Sequence, residues 1–216
     1  MELTRRSLLN HCTALALAAA AASLLPAMAA AQPVILVVGD SLSAEYGLPR
    51  GKGWVALLDQ RLAQEKRPAT VINASISGDT TSGGRSRLPA LLKQHQPSLV
   101  ILELGANDAL RGLPLGMTRD NLQAMARAAK ATGAKVLVVG MQVPPNYGRQ
   151  YSDDFSALFA SVAKAEETGL VPFLLKGVAD APNAEAMFQP DRIHPREQAH
   201  PIMLANVWEG LKPLLR

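Results

Sequence analysis

Cysteine is nearly absent: Cys12 is the only one in 216 residues. No disulfide framework and no thiol chemistry are therefore available to anything downstream of it. Aromatics are scarce as well, at 4% of the chain. The net charge of +4 comes without a block of Lys or Arg, and residues 1–29 supply +1 of it through Glu2, Arg5 and Arg6. Such mild basicity serves solubility and is no footprint for nucleic acid. There are four histidines. His11 lies in the N-terminal segment, while His95 and His200 fall on helical stretches and read as surface residues. No carboxylates or thiols cluster around them at ligand spacing, so neither a metal nor a cofactor is expected. Gly83-Gly84-Arg85 lacks the lysine and spacing of a phosphate loop.

Long apolar runs are missing too. The one at residues 14–25 follows Arg5 and Arg6 and precedes Ala27-Met28-Ala29. It is well short of the about 20 residues that cross a bilayer. Basic, apolar and then small residues in that order make a secretory signal, expected over residues 1–29, with stable membrane insertion not expected. Thr4-Arg5-Arg6-Ser7-Leu8-Leu9 also resembles a twin-arginine export signal, and the general secretory route stays open beside it. His11 before Cys12 excludes a lipoprotein anchor. Residues 30–216 then suffice for one core and form a single expected domain, periplasmic or secreted.

What is present in that region is a repeated alternation. Five short apolar runs, at 34–38, 70–72, 99–102, 136–139 and 170–173, are continuous rather than alternating, as in strands covered on both faces. Helical stripes lie between them: Trp54, Leu57, Leu58, Leu62; Leu122, Met125, Ala126, Ala129; Phe155, Leu158, Phe159, Val162; and Leu204, Val207, Trp208, Leu211. Gly133 and Gly169 stand where helices should end. Repeated β-then-α units imply an α/β fold, a three-layer α/β/α sandwich on a five-stranded parallel sheet. Ligands gather beyond the carboxyl ends of such strands, so the segments after them hold the candidate chemistry.

Gly39-Asp40-Ser41-Leu42-Ser43 follows the first strand. A serine opening a helix there has an exposed hydroxyl and an outward N–H, although a plain N-cap would look similar. Asp191-Arg192-Ile193-His194-Pro195 precedes the last helix. Its Asp and His are close enough to meet, and Pro195 suits a first helical position. In the segment 73–81, Gly78 lets backbone approach a ligand. In Gly105-Ala106-Asn107-Asp108, Asn107 offers an amide donor or an Asx turn.

Together with Arg87-Leu88-Pro89-Ala90-Leu91-Leu92 and Pro144-Pro145-Asn146-Tyr147-Gly148, these segments make the sequence similar to the SGNH (GDSL) hydrolases. Within them it resembles the bacterial arylesterase/thioesterase I/lysophospholipase group, over about residues 34–215. The resemblance implies a flavodoxin-like fold and a serine hydrolase of acyl esters or thioesters. It assigns Ser41, Asp191 and His194 as the catalytic triad, and Ser41, Gly78 and Asn107 as the oxyanion hole. Three departures stand out: Glu45 in place of a usual glycine, Ala106 at a variable position, and Arg192 between Asp191 and His194, where an outward side chain is expected. A non-catalytic binding module on the same scaffold is the competing class.

Leucine- and proline-rich loops suggest an apolar acyl groove. Leu110, Arg111, Gly112, Leu113 and Pro114 would line it with Pro145 and Tyr147, and Gly112 and Gly116 would let the first loop move. Few aromatics lie in these loops, against a sugar-binding surface, although a carbohydrate acetylesterase of the same family remains an alternative. The partner expected is a small acyl substrate, and the protein a monomer. N-terminal sequencing of the exported protein should begin at Ala30; an intact Met1 would exclude cleavage.

Overall fold

The computed structural model describes residues 32–215; the expected signal at residues 1–29 lies outside the described residues. Five strands form the sheet: β1 (Val34–Gly39), β2 (Thr70–Asn73), β3 (Leu99–Glu103), β4 (Lys135–Val139) and β5 (Gly169–Val171). All pair in parallel, in the order β2-β1-β3-β4-β5. Each sits within two residues of its expected run. β1, β3 and β4 are buried almost throughout, as continuous apolar runs require, whereas the edge strand β2 has exposed ends.

Among the described residues there are seven α-helices, the last two after β5: α1 (Trp54–Gln64), α2 (Thr81–His95), α3 (Ala106–Leu110), α4 (Leu115–Ala131), α5 (Arg149–Ala165), α6 (Ala184–Met187) and α7 (His200–Leu211). α1 packs on α7, while α4 packs on both α2 and α5. Because β1→β2 runs one way across the sheet and the later crossovers run the other, right-handed connections put these groups on opposite faces. The sandwich is the expected one. The buried stripes are the sequence stripes: Trp54, Leu58 and Leu62; Leu122, Met125, Ala126 and Ala129; Phe155, Leu158, Phe159 and Val162; Leu204, Val207, Trp208 and Leu211. The Arg61 guanidinium lies 4.4 Å from the Trp208 ring centroid, tying α1 to α7.

Several local expectations need correction. No helical stripe is read between the second and third strands, yet α2 lies there, because Gly83, Gly84 and Pro89 dilute its apolar stripe to Leu88 and Leu92. Its start is set by the Thr80 hydroxyl, which accepts from the Gly83 N–H at 3.3 Å. Ser41 does not open a regular helix; residues 41–47 are a run of turns closed by Ala44 N–H to the Asp40 carbonyl, 2.9 Å. Pro195 pairs with Phe188 in an isolated bridge, and the proline in the first turn of α7 is Pro201 instead. Gly133 does end α4, with φ +86. Gly169 instead starts β5, where a Cβ would fall 2.8 Å from Leu214. The left-handed turn after α5 falls on Glu167, φ 51. Gly116 lies in the first turn of α4 and is no loop hinge. His200 is buried, accepting from the Trp54 N–H through Nδ1 at 3.0 Å, so that nitrogen is unprotonated. Burial lowers its pKa.

Beyond β4, Gly140 donates to the Val171 carbonyl at 2.7 Å and accepts from Leu174 at 2.9 Å. A Cβ on it would meet the Pro172 carbonyl oxygen at 2.4 Å, and backbone cannot step aside as a side chain can. Gly140→Ala is therefore expected to cost about 1–3 kcal/mol in urea denaturation; an unchanged midpoint would refute this packing account.

Candidate active site

Parallel pairing sets Gly39, the last residue of β1, beside Glu103, the last residue of β3. The chain leaves β1 and β3 toward helices on opposite faces, so a crevice opens between them, at the switch point of the strand order. Asp40-Ser41 emerges on one side and Gly105-Ala106-Asn107 on the other. Gly39 has no room for a side chain: a Cβ would stand 2.8 Å from both the Glu103 Oε2 and the Ser43 Oγ.

Ser41 meets the turn before α7. Its Oγ lies 2.9 Å from the His194 Nε2, and the His194 Nδ1 lies 2.7 Å from the Asp191 Oδ2. The other carboxylate oxygen of Asp191 accepts from the N–H groups of Ile193 and His194, each at 3.0 Å. Burial works to raise the Asp191 pKa, but those N–H groups and the His194 side chain outweigh it and bring it to about 2. Asp191 is thus an anion whenever the imidazole is to be oriented. Arg192 turns away as expected, at φ 60, pairing with Glu185 at 3.2 Å on the surface.

Asn107 donates through Nδ2 to the Asp40 Oδ2 at 2.9 Å. That bond uses one amide hydrogen and leaves the second free to point elsewhere. Gly78 has φ +79, a conformation that strains any other residue, and its carbonyl accepts from the Arg111 guanidinium at 2.7 Å. Among the described residues the N–H groups of Ser41 and Gly78 have no intramolecular acceptor. Of the expected groove residues, Leu110, Arg111, Gly112 and Pro114 are exposed, and Leu113 and Tyr147 are half-buried. Tyr147 stacks toward Tyr151 of α5 at 6.1 Å.

A match to the model of the GDSL-like lipase/acylhydrolase family spans residues 37–202. The chain belongs to that family. As a member it is similar to Esterase TesA of Pseudomonas aeruginosa, 52% identical, with 98% of this chain and 100% of that one covered. It is also similar to the thioesterase 1/protease 1/lysophospholipase L1 of Escherichia coli K12, 41% identical over 89% of each chain. Among solved structures, the psychrotrophic esterase EstA of Pseudoalteromonas sp., inhibited by monoethylphosphonate, superposes with a TM-score of 0.79 at 37% identity, covering 85% of this chain and 99% of that one.

Around this GDSL-family site stand residues of the matching segments to which the sequence assigned no role. Asp79 accepts from the Arg87 Nε at 2.8 Å and from the Thr80 N–H at 2.9 Å, and Arg87 also reaches the Ala74 carbonyl, fixing the Gly78 turn. Buried Asp108 accepts from the Thr81 N–H at 2.9 Å and from the Thr81 and Thr118 hydroxyls, which locks the start of α2 behind Asn107. Glu45 sits at φ 59, the reason a glycine is usual there. Its carboxylate accepts from the N–H of Gly51 at 3.0 Å and of Gly53 at 2.8 Å. Among the described residues no group of His, Cys, Asp and Glu could hold a metal ion.

Glu103 is fully buried below Ser41, accepting from the Ser43 hydroxyl at 2.6 Å, and its Oε1 has no partner among the described residues. An acidic residue closing an otherwise apolar strand is the signal that could have marked it. Burial and then the nearby Asp40 charge push its pKa well above the usual carboxylate range. Burial likewise raises Asp40, to about 6, against hydrogen bonds from Leu42 and Asn107. Folded Asp40 thus holds its proton more tightly than unfolded Asp40. The stability this adds is fully present below about pH 4, the unfolded value, and is lost as pH rises through about 6. In thermal unfolding between pH 4 and 7, the stability of Asp40→Asn relative to the parent should therefore improve as pH rises. A difference between the two curves that stays flat with pH would exclude a raised Asp40.

Proposed function

We propose that the protein is an exported serine esterase that hydrolyses acyl esters and acyl thioesters through an acyl-enzyme on Ser41. The observation that carries this is the continuous chain from the Ser41 Oγ through both His194 nitrogens to Asp191, at 2.9 and 2.7 Å. An unassisted serine hydroxyl is a poor nucleophile, and a base within hydrogen-bond reach activates it.

Neutral His194 takes the Ser41 proton on Nε2 as Oγ bonds to the acyl carbon, while Asp191 fixes the Nδ1–H tautomer and balances the imidazolium. His194 then protonates the leaving alkoxide or thiolate as its bond to the acyl carbon breaks. Water next attacks the acyl-enzyme, gives its proton to His194, and the acid departs as Ser41 regains that proton. The free N–H groups of Ser41 and Gly78 and the second amide hydrogen of Asn107 hold the oxyanion.

The acyl preference rests on where apolar surface is exposed. Beside Tyr46, whose ring covers His194, the exposed large hydrophobics among the described residues are Ile76, Leu110 and Ile193. Ile76 and Ile193 stand in the loops that bear Gly78 and His194, and Leu110 ends the short helix α3 that bears Asn107. Surface of this kind beside the proposed nucleophile suits an acyl chain. Arg111, bonded to the Gly78 carbonyl, ties the segment 110–114 to the loop of Gly78. Thioesters and lysophospholipids enter as substrates from the name of the Escherichia coli relative. Export rests on the N-terminal sequence pattern, and no helix among the described residues is long and apolar enough to cross a membrane.

Activity on p-nitrophenyl acyl esters of graded chain length tests the reading. Ser41→Ala should lose at least about 10⁴-fold in kcat, and Asn107→Ala about 10²–10³-fold with its unfolding transition unchanged. A phosphonate, the reagent class that inhibits the Pseudoalteromonas relative, should label Ser41. Labelling of any other residue would falsify the nucleophile assignment.

A further inference from the structure

Hydrogen bonds alone do not fix the His194 ring. Its two partners, Ser41 and Asp191, lie at opposite ring nitrogens, and bonds along that line leave the ring free to roll about it. Something must cover a face. The Tyr46 ring does, with centroids 4.2 Å apart and planes at 35°. We propose that Tyr46 is a positioning residue for His194, held in place by Glu45 on one side and Gln189 on the other. This rests on the assignment of His194 as the base of the reaction proposed above.

Gln189 spans the two loops that must meet. Its Nε2 donates to the Tyr46 carbonyl at 2.9 Å and to the Pro195 carbonyl at 3.2 Å, and its backbone N–H donates to the His194 carbonyl at 2.8 Å. The next residue after Tyr46 admits that side chain only because it is Gly47: a Cβ there would fall 2.1 Å from the Gln189 Oε1, and its φ is +70. On the other side, the Glu45 carboxylate gathers the Gly51 and Gly53 N–H groups and closes 45–53 into a rigid loop. Tyr46 is thus pinned through its backbone to the serine segment and to the histidine turn together. Its ring is half exposed, at 49%, so burial of that ring in the core is not its use.

The ring acts twice. It keeps the Nε2 aimed at Ser41 while the base is neutral, and its π face attracts the imidazolium formed when the proton moves. Among the described residues the Tyr46 hydroxyl has no partner, so a phenylalanine should serve as well as a tyrosine.

The test compares Tyr46→Ala, Tyr46→Phe and Glu45→Ala with the parent on p-nitrophenyl butyrate. It also follows the low-field proton resonance of the His194–Asp191 bond by NMR, a readout that needs no turnover. Misplacement of a catalytic group by about 1 Å costs up to about 10²-fold. Tyr46→Ala should therefore lose about tenfold or more in kcat with KM within about twofold, and its low-field resonance should broaden away. Tyr46→Phe should restore both. Glu45→Ala should lose kcat in the same direction, and combining it with Tyr46→Ala should add little, since both act through one contact. A raised KM with unchanged kcat and an unchanged resonance in Tyr46→Ala would make the ring a wall for substrate and overturn the proposal. Full turnover by Ser41→Ala would instead overturn the serine-hydrolase reading, on which the resonance does not depend.

Discussion

The pairing of β1 with β3 is the constraint from which the rest of this molecule follows. β2 crosses to the outside of β1, which leaves the inner edge of β1 for a strand that starts some sixty residues later. That parallel register, with Gly39 opposite Glu103, brings Ser41 and Asn107 to the two lips of one crevice. The Asp40–Asn107 bond spans it. Side chains alternate between the faces of a sheet, so a slip of one residue would turn Glu103 to the other face and carry Asn107 away with it.

Beyond the strand ends the means of support changes. The loops at the rim have little apolar packing to hold them, and their backbone groups need partners. Polar side chains supply these: Asn73 donates to the Ser43 carbonyl, Arg87 to Ala74, Arg111 to Gly78, and Gln189 to Tyr46 and Pro195, while Glu45, Asp79, Asp108 and Asp191 accept from backbone N–H groups. Ser41, Gly78 and His194 therefore sit on irregular segments, and Asn107 on the short helix α3, that are nonetheless tied at several points.

Two buried carboxyl groups lie under this arrangement, and they work against stability. Desolvation raises both Asp40 and Glu103, and the charge of Asp40 further discourages ionisation of Glu103. What Asp40 supplies in return is a bond to the amide of Asn107, so that the amide hydrogen left over has a defined direction. Strain and desolvation concentrated at a reactive site, with a well-packed core elsewhere, are the usual division of labour in a folded enzyme.

The number and position of the strands and the helix stripes were legible in the sequence, and the motifs singled out Ser41, Asp191 and His194, which the fold brings within hydrogen-bond distance. Burial on both faces imposes continuous apolar runs, a helix imposes its period, and the joint occurrence of the motifs after different strands marked the site where each motif alone could have been a cap or a turn. Less was legible wherever a residue's part depends on a neighbour distant along the chain. His200 looks like any surface histidine until α7 is docked beside Trp54; Gly169 looks like a helix stop until Leu214 covers it; Glu45 looks like a misplaced glycine until the amides of Gly51 and Gly53 close on it. Tyr46 carries no pattern at all, because its position against His194 is created by Gln189, a residue 143 places away. Local chemistry is written in order along the chain, whereas contacts between loops exist only once the sheet has brought their ends to the same rim.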